Sequence, residues 1–208
     1  LYGESGNDYL SGGSSSDRLY GGKDNDTIKG GSQSDRLYGE SGKDILYGES
    51  GDDYLSGGSS SDKLYGGTGK DTLRGGTSSD RLFGNIGGDT LYGDSGNDFL
   101  SGGSSSDKLY GGKDNDTIKG GTQSDRLYGE SGEDILYGES GDDYLSGGSN
   151  NDKLYGGNGD DILYGGMDND SLYGGTGNDI FLINADNAGF GRDLITDYDS
   201  SSDCIELQ

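Results

Sequence analysis

The chain contains no histidine, no tryptophan and no proline, and it has one cysteine and one methionine among its 208 residues. Without histidine it lacks the commonest general base of enzymes and the usual nitrogen ligand of transition metals. The single cysteine, Cys204, excludes an internal disulfide, which leaves a bystander thiol or an intermolecular bridge as alternatives. We therefore expect neither an enzyme active site nor a transition-metal centre.

Apolar and basic residues are also scarce. Hydrophobic residues make up 26% of the chain, and 15 Lys and Arg stand against 39 Asp and Glu, for a formal charge of −24. We find no secretory signal and no apolar run that would insert into a membrane, and the acidic balance opposes binding to nucleic acid. Composition alone is typical of a disordered chain, because so few apolar residues cannot offset chain entropy.

Glycine is abundant, with 46 residues, and it follows a strict nine-residue repeat. The repeat runs without insertion from Gly3 to Leu182, which makes twenty units. The first position is always Gly, the sixth is always Asp, and the eighth is always a large apolar residue. Such a period indicates a solenoid, in which each unit of strand and turn buries its apolar face only against its neighbours.

A longer period lies over the first, since residues 1–65 recur at 91–155 with seven differences. This duplication spans ten units, so a coil of two units would keep each segment on its original face. The chain begins at the eighth position of a unit, with Leu1. We therefore expect it to be the C-terminal piece of a longer protein, with any N-terminal signal outside it.

Each unit divides into a turn and a strand. The first six residues are turn-formers, because Gly permits positive φ and Asn, Asp and Ser tolerate it. The last three residues then form a short strand, with the eighth position facing inward and the seventh and ninth facing outward. Outward residues such as Arg18 and Tyr20 are charged or amphipathic, as this arrangement requires.

The sixth-position aspartates are the candidate metal ligands. If two units form one coil, Asp8 lies above Asp26 at a strand spacing of roughly 4.8 Å. Carboxylates that close repel each other, but with turn carbonyls they form an all-oxygen cage that suits Ca²⁺ better than Mg²⁺. Twenty units predict up to eighteen such sites between coils. The predicted ligands are Asp8, Asp17, Asp26, Asp35, Asp44, Asp53, Asp62, Asp71, Asp80, Asp89, Asp98, Asp107, Asp116, Asp125, Asp134, Asp143, Asp152, Asp161, Asp170 and Asp179.

The units resemble the RTX (repeats-in-toxin) or hemolysin-type nonapeptide GGxGxDxUx. GGTGKDTLR (66–74), GGNGDDILY (156–164) and GGTGNDIFL (174–182) match it in full. The resemblance implies an all-β, right-handed parallel β-roll of about ten coils, with two nonapeptides per coil. It also implies Ca²⁺ between successive loops, held by two Asp side chains and backbone carbonyls. Type I secretion and calcium-dependent folding outside the cell are implied as well.

Some units depart from this pattern. The fourth position is Gly in only half of them, and loops with Ser15 or Asp24 there are expected to bind calcium more weakly or to stay empty. Second-position acids such as Glu40 and Glu49 are either additional ligands or solvated surface charges, and we favour the second interpretation.

We predict two domains, a calcium-binding roll over 1–182 and a cap over 183–208. The segment FGRDLITDYDSSSDCIEL carries apolar Leu194, Ile195, Ile205 and Leu207 in short alternating runs. It is similar to the D-x-I-x-D-F/Y…D-x-I-x-L flank that closes RTX rolls. An uncleaved secretion signal is the alternative, and both roles are compatible.

Outward tyrosines at eighteen-residue steps predict two ladders, which either cover the sheets or bind a partner. One ladder contains Tyr20, Tyr38, Tyr92, Tyr110 and Tyr128, and the other contains Tyr47, Tyr65, Phe83, Tyr137, Tyr155 and Tyr173.

Three functions fit these features. The first is a secreted or cell-surface structural element, rigidified by calcium, that self-assembles as a layer, sheath or adhesin stalk. The second is the folding and type I secretion module of a larger exoenzyme. The third is a glycan-binding face formed by the tyrosines.

Overall fold

The computed structural model describes residues 1–184 and 191–207. In that part of the chain every regular element is a β-strand, and no helix could cross a membrane. The strands are β1 (Tyr2–Ser5), β2 (Tyr9–Gly13), β3 (Arg18–Lys23), β4 (Thr27–Ser32), β5 (Arg36–Ser41), β6 (Ile45–Ser50), β7 (Tyr54–Ser59), β8 (Lys63–Thr68), β9 (Thr72–Thr77), β10 (Arg81–Ile86), β11 (Thr90–Ser95), β12 (Phe99–Ser104), β13 (Lys108–Lys113), β14 (Thr117–Thr122), β15 (Arg126–Ser131), β16 (Ile135–Ser140), β17 (Tyr144–Ser149), β18 (Lys153–Asn158), β19 (Ile162–Gly166), β20 (Ser171–Thr176), β21 (Ile180–Ile183), β22 (Leu194–Ile195) and β23 (Cys204–Leu207).

The strands form two parallel sheets. Odd-numbered strands make a 12-stranded sheet and even-numbered strands make an 11-stranded sheet, here called the odd and even sheets. Within the repeats each residue pairs with the residue eighteen positions later, as Leu19 does with Leu37 and Leu37 with Leu55. Two units therefore make one coil, and the predicted parallel β-solenoid of about ten coils is confirmed.

The core is a double row of eighth-position side chains between the two sheets. All twenty are buried, from Leu10 at 6% exposure to Leu19 and Phe181 at 0%. Ile183 and Ile195 pack against the end of this row. The prediction that the eighth position faces inward is confirmed.

The strands are longer than the predicted three residues. A typical strand, β3 (Arg18–Lys23), has six residues and extends through the Gly-Gly pair of the following unit. Leu19 and Gly21 are both buried, so the inward alternation continues to the first glycine. Gly22 then has φ of 112°, which turns the chain toward the next loop. The sequence prediction was wrong here because a Gly-Gly pair was interpreted as turn alone.

A five-unit period underlies the ten-unit duplication. Segments of equal length begin at Leu1, Leu46, Leu91 and Leu136, each with Leu-Tyr-Gly followed by an acid, and the first two differ at fourteen positions. Because five is odd, successive segments place the same pattern on opposite sheets. The two outer faces of the solenoid therefore carry a similar pattern of residues, displaced by two and a half coils.

Candidate metal centre

The sixth-position aspartates form two columns along the solenoid. In each column the backbone N–H of one aspartate donates to Oδ1 of the aspartate eighteen residues later. The distance is 2.7 Å from Asp8 to Asp26 and from Asp17 to Asp35, and the pattern continues to Asp161 and Asp179 at 3.0 Å. The first column contains Asp8, Asp26, Asp44, Asp62, Asp80, Asp98, Asp116, Asp134, Asp152 and Asp170; the second contains Asp17, Asp35, Asp53, Asp71, Asp89, Asp107, Asp125, Asp143, Asp161 and Asp179.

The second carboxylate oxygen of these aspartates is buried without a partner. From Asp26 to Asp179 the column residues are at most 3% exposed. Oδ2 has no hydrogen-bond donor in nineteen aspartates, namely every member of the columns from Asp8 to Asp170. A buried carboxylate oxygen without a partner costs several kcal/mol. Each column therefore requires positive charge, from a cation or from protons.

Burial also raises the pKa values of the column aspartates from Asp26 to Asp179. Loss of hydration is the largest cause, and neighbouring carboxylates add to it, whereas the backbone N–H bond to Oδ1 opposes it. The pKa of Asp62, Asp98 and Asp116 rises to about 8, and that of Asp44 and Asp53 to about 6. The column environment therefore disfavours bare ionised carboxylates at neutral pH.

The first-position glycine provides the space in which these oxygens meet. A Cβ on Gly3 would lie 2.6 Å from Oδ2 of Asp8 and 2.5 Å from the carbonyl oxygen of Gly21 in the next coil. The first-position glycines are therefore required by a close approach, whereas second-position glycines such as Gly22 adopt positive φ. A carboxylate oxygen and a carbonyl oxygen converging on one point are donors that hard cations prefer.

Among residues 1–184 and 191–207, no three His, Cys, Asp or Glu side chains converge to hold a metal ion. A cation between two coils would therefore depend on the column aspartates and backbone carbonyls, the donor set expected from the sequence. The number of eighteen sites remains a prediction.

Comparison with protein families identifies the repeat. The model of the RTX calcium-binding nonapeptide repeat matches overlapping stretches that together span nearly all of the repeat region: 1–28, 20–55, 29–64, 56–91, 65–100, 83–118, 110–145, 119–154 and 146–181. The chain belongs to the RTX family. Comparison with curated proteins gave no significant match. RTX repeats are calcium-binding in general, and the unpartnered oxygens of both columns fit that ion.

Substituting a first-position glycine is expected to damage an RTX coil. A Cβ at Gly84 would overlap Oδ2 of Asp89 and lie 2.7 Å from the carbonyl oxygen of Gly102. Gly84→Ala should therefore lower the free energy of unfolding in calcium by about 1–3 kcal/mol or more. In the same loop a Cβ at Gly88 meets only the carbonyl oxygen of Ser106, at 3.1 Å. Gly88→Ala is the matched control, and equal denaturation midpoints for the two variants would contradict the close approach.

Most loops without a fourth-position glycine keep a similar path, although Ser15 does not adopt a positive φ. Asp24, Gln33 and Ser60 have φ of 75°, 73° and 81°, in the left-handed region that glycine otherwise occupies here. The departures in sequence therefore leave these loops able to stack, and weaker or absent calcium binding there stays a prediction.

Second-position acids take part in ion pairs at the surface. Lys29 contacts Glu49 at 3.7 Å, and Lys119 contacts Glu139 at 3.0 Å, with all four side chains partly exposed. Glu40 is exposed as well. These contacts favour the interpretation of the second-position acids as solvated charges.

The segment after the repeats, residues 191–207 and here called the flank, adds one aspartate to each column, which was not predicted from the sequence. The N–H of Asp170 donates to Oδ1 of Asp193, and that of Asp179 donates to Oδ1 of Asp203, both at 3.2 Å. The intervals are 23 and 24 residues, so a search at a step of eighteen passes over them. A local sequence pattern would have identified them: each is an Asp two residues before a large apolar residue, as in every repeat unit.

The flank also continues both sheets. β22 pairs with β20, and β23 pairs with β21. On β23, Ile205 is 46% and Leu207 73% exposed, and Cys204 is an exposed free thiol. Residues 185–190 and Gln208 of the predicted cap lie outside the described residues. The domain boundary after Leu182 and the role of Cys204 remain predictions.

Proposed function

We propose that this RTX chain is an extracellular structural element that folds when it binds calcium. The observation that carries the proposal is the set of nineteen buried carboxylate oxygens without a partner. In the metal-free chain at neutral pH these oxygens oppose folding, and calcium ions held by the columns would remove that opposition. Calcium is abundant outside cells and scarce in the cytosol, so the chain would fold only after export.

We do not expect this chain to catalyse a reaction. The sequence has no histidine, and its abundant Ser and Asp serve turns and columns. We infer that the chain acts through its shape, either alone or as the calcium-dependent folding and secretion module of a larger exoenzyme.

The aromatic ladders support a structural role. Tyr47, Tyr65 and Phe83 form one stack on the even sheet, with ring centroids 5.0 Å apart and planes within 9° of parallel. Lys29 lies over the ring of Tyr47 at 5.6 Å, and Phe99 contacts the other end at a tilt of 45°. Each ring face in this stack therefore contacts a neighbouring ring or a lysine side chain.

Glycan binding is less well supported by this geometry. Sugars stack on the faces of aromatic rings, and the ladders present mainly ring edges and hydroxyl groups to solvent. Similar stacks recur on both sheets, as at Tyr110 and Tyr128 with centroids 5.0 Å apart. Faces rich in tyrosine edges and arginine are typical of protein interfaces. Lateral association of rolls is therefore the favoured use of these surfaces.

Sedimentation velocity in millimolar calcium tests the structural role. We expect the weight-average sedimentation coefficient to rise with protein concentration, because both outer faces carry the same aromatic and basic pattern. Tyr20→Ser with Tyr110→Ser, which interrupts two stacks on the odd sheet, should weaken this association without unfolding the roll. A strictly monomeric wild-type protein at high concentration would remove support for assembly.

Two further measurements separate the alternatives. Calcium-dependent retention on a polysaccharide resin that fails for Tyr110→Ala with Tyr128→Ala would favour glycan binding. A catalytic motif in coding sequence upstream of Leu1 would favour the exoenzyme module, whereas more repeats there would favour the structural element.

A further inference from the structure

The last unpartnered carboxylate oxygen of the first column belongs to Asp170, where the repeats meet the flank. Asp170 is 1% exposed, and its Oδ2 has no hydrogen-bond donor. The next member of this column is Asp193, whose Oδ1 accepts from the N–H of Asp170 at 3.2 Å, while the N–H of Leu194 donates to the carbonyl of Asp170 at 2.8 Å. The same pair of bonds joins neighbours inside the column: Asp152 N–H to Asp170 Oδ1 at 2.8 Å, and Ser171 N–H to the carbonyl of Asp152 at 2.9 Å.

The second column ends differently. Asp203 accepts at Oδ1 from the N–H of Asp179 at 3.2 Å and from the hydroxyl of Ser202 at 3.1 Å. Its Oδ2 accepts from the N–H of Asp199 at 2.7 Å. Both oxygens of Asp203 thus have partners within the protein.

We propose that Asp170 and Asp193 hold a nineteenth calcium ion and that Asp203 closes the second column without one. The unpartnered oxygens run from Asp8 to Asp170 in the first column and from Asp17 to Asp161 in the second. That is one oxygen for each step between coils, including the step from Asp170 to Asp193. The step from Asp179 to Asp203 differs, because both oxygens of Asp203 already accept hydrogen bonds within the protein. The inference rests on the proposed binding of calcium by the columns.

The additional site would tie the flank to the roll. β22 has only two residues, Leu194 and Ile195, and pairs with β20 through these two alone. Leu194 is 58% exposed, so the apolar burial of this strand comes from Ile195 alone, which packs against the core row. Ordering of β22 would therefore depend in part on calcium, beside the bonds that Gly174 and Gly175 donate to Asp197 just after the strand. The turn that precedes β23 is stabilised by bonds from Asp199 and Ser202 to Asp203.

Native mass spectrometry of the full chain at saturating calcium tests this assignment. The wild type should reach one more bound ion than Asp193→Asn, and Asp203→Asn should reach the wild-type number. Both substitutions remove one charge from the flank and keep the shape of the side chain, so each is the matched control of the other. Hydrogen exchange supplies a second readout: protection of 192–196 by calcium should be lost in Asp193→Asn while the repeats stay protected.

The outcomes are distinct. An unchanged ion number in Asp193→Asn, or the loss of an ion in Asp203→Asn as well, would overturn the assignment. Wild-type protein that binds no calcium would overturn the proposed function itself. If Asp193→Asn lost protection over the repeats too, the ion could not be assigned to the junction, and this result would also count against the assignment.

Discussion

In excess EGTA at neutral pH, the chain is expected to lose its sheets and to expand into a coil. The metal-free columns would bury nineteen carboxylate oxygens without a partner, most of them in groups that are ionised when the chain is unfolded. Twenty buried aliphatic and aromatic side chains, at about 2 kcal/mol each, are too few to order a chain so rich in glycine. Far-UV circular dichroism should lose its β signal, and the radius of gyration should rise toward about 50 Å from about 17 Å for a compact chain of this length.

Calcium at millimolar concentration should then restore the β signal cooperatively, because each ion joins two coils and so favours binding at the next step. Magnesium is the control ion, since it prefers a tight octahedron and retains its water. Full sheet content and an unchanged radius in EGTA would show that the fold does not need the metal. Equal recovery with magnesium would show that the columns do not select calcium.

Acidification in EGTA is expected to restore part of the sheet content that chelation removes at about pH 8. Burial raises the pKa of column aspartates in the folded state to about 6 for Asp44 and about 8 for Asp98, above the ordinary value of about 4 in an unfolded chain. The metal-free fold then binds more protons than the unfolded chain over this interval, so its stability falls as pH rises. The contribution is complete below about pH 4 and is lost as pH passes through about 6 to 8.

Circular dichroism and chemical denaturation in EGTA between about pH 8 and pH 5 would measure this effect. Asp98→Asn, which replaces one column carboxylate by a neutral group, should stabilise the metal-free form at the alkaline end, and exposed Glu40→Gln should not. A metal-free fold that becomes less stable on acidification would contradict the sign of the pKa shifts. With calcium present the dependence should reverse, because protons compete for the same oxygens.

Much of this architecture could be predicted from the sequence because nine-residue periodicity leaves few geometries open. The strict Asp and the strict aliphatic fix which residues stack, so the columns and the core row of Leu19, Leu37 and Leu55 follow once two units make a coil. The strict first glycine was observed but not explained. Its reason is the side chain of the aspartate five residues later, a contact that depends on the three-dimensional path of the loop.

The flank could not be derived in the same way. Asp193 and Asp203 occupy column positions although insertions separate them from the repeat, so periodicity carries no information about them. The orientation of the tyrosine rings also required the structure. A row of tyrosines at equal steps fits exposed ring faces as well as stacked rings, and only the measured planes, such as 4° between Tyr2 and Tyr20, distinguish the two.

The odd number of units in the underlying segment bears on how such a protein can change length. Recombination between two segments would add or delete two and a half coils and rotate everything beyond the junction by half a turn. Because successive segments already alternate between the sheets, the lengthened or shortened molecule would present an unbroken surface pattern. Gene duplication could thus adjust the length of this protein in small increments without redesign of its contacts.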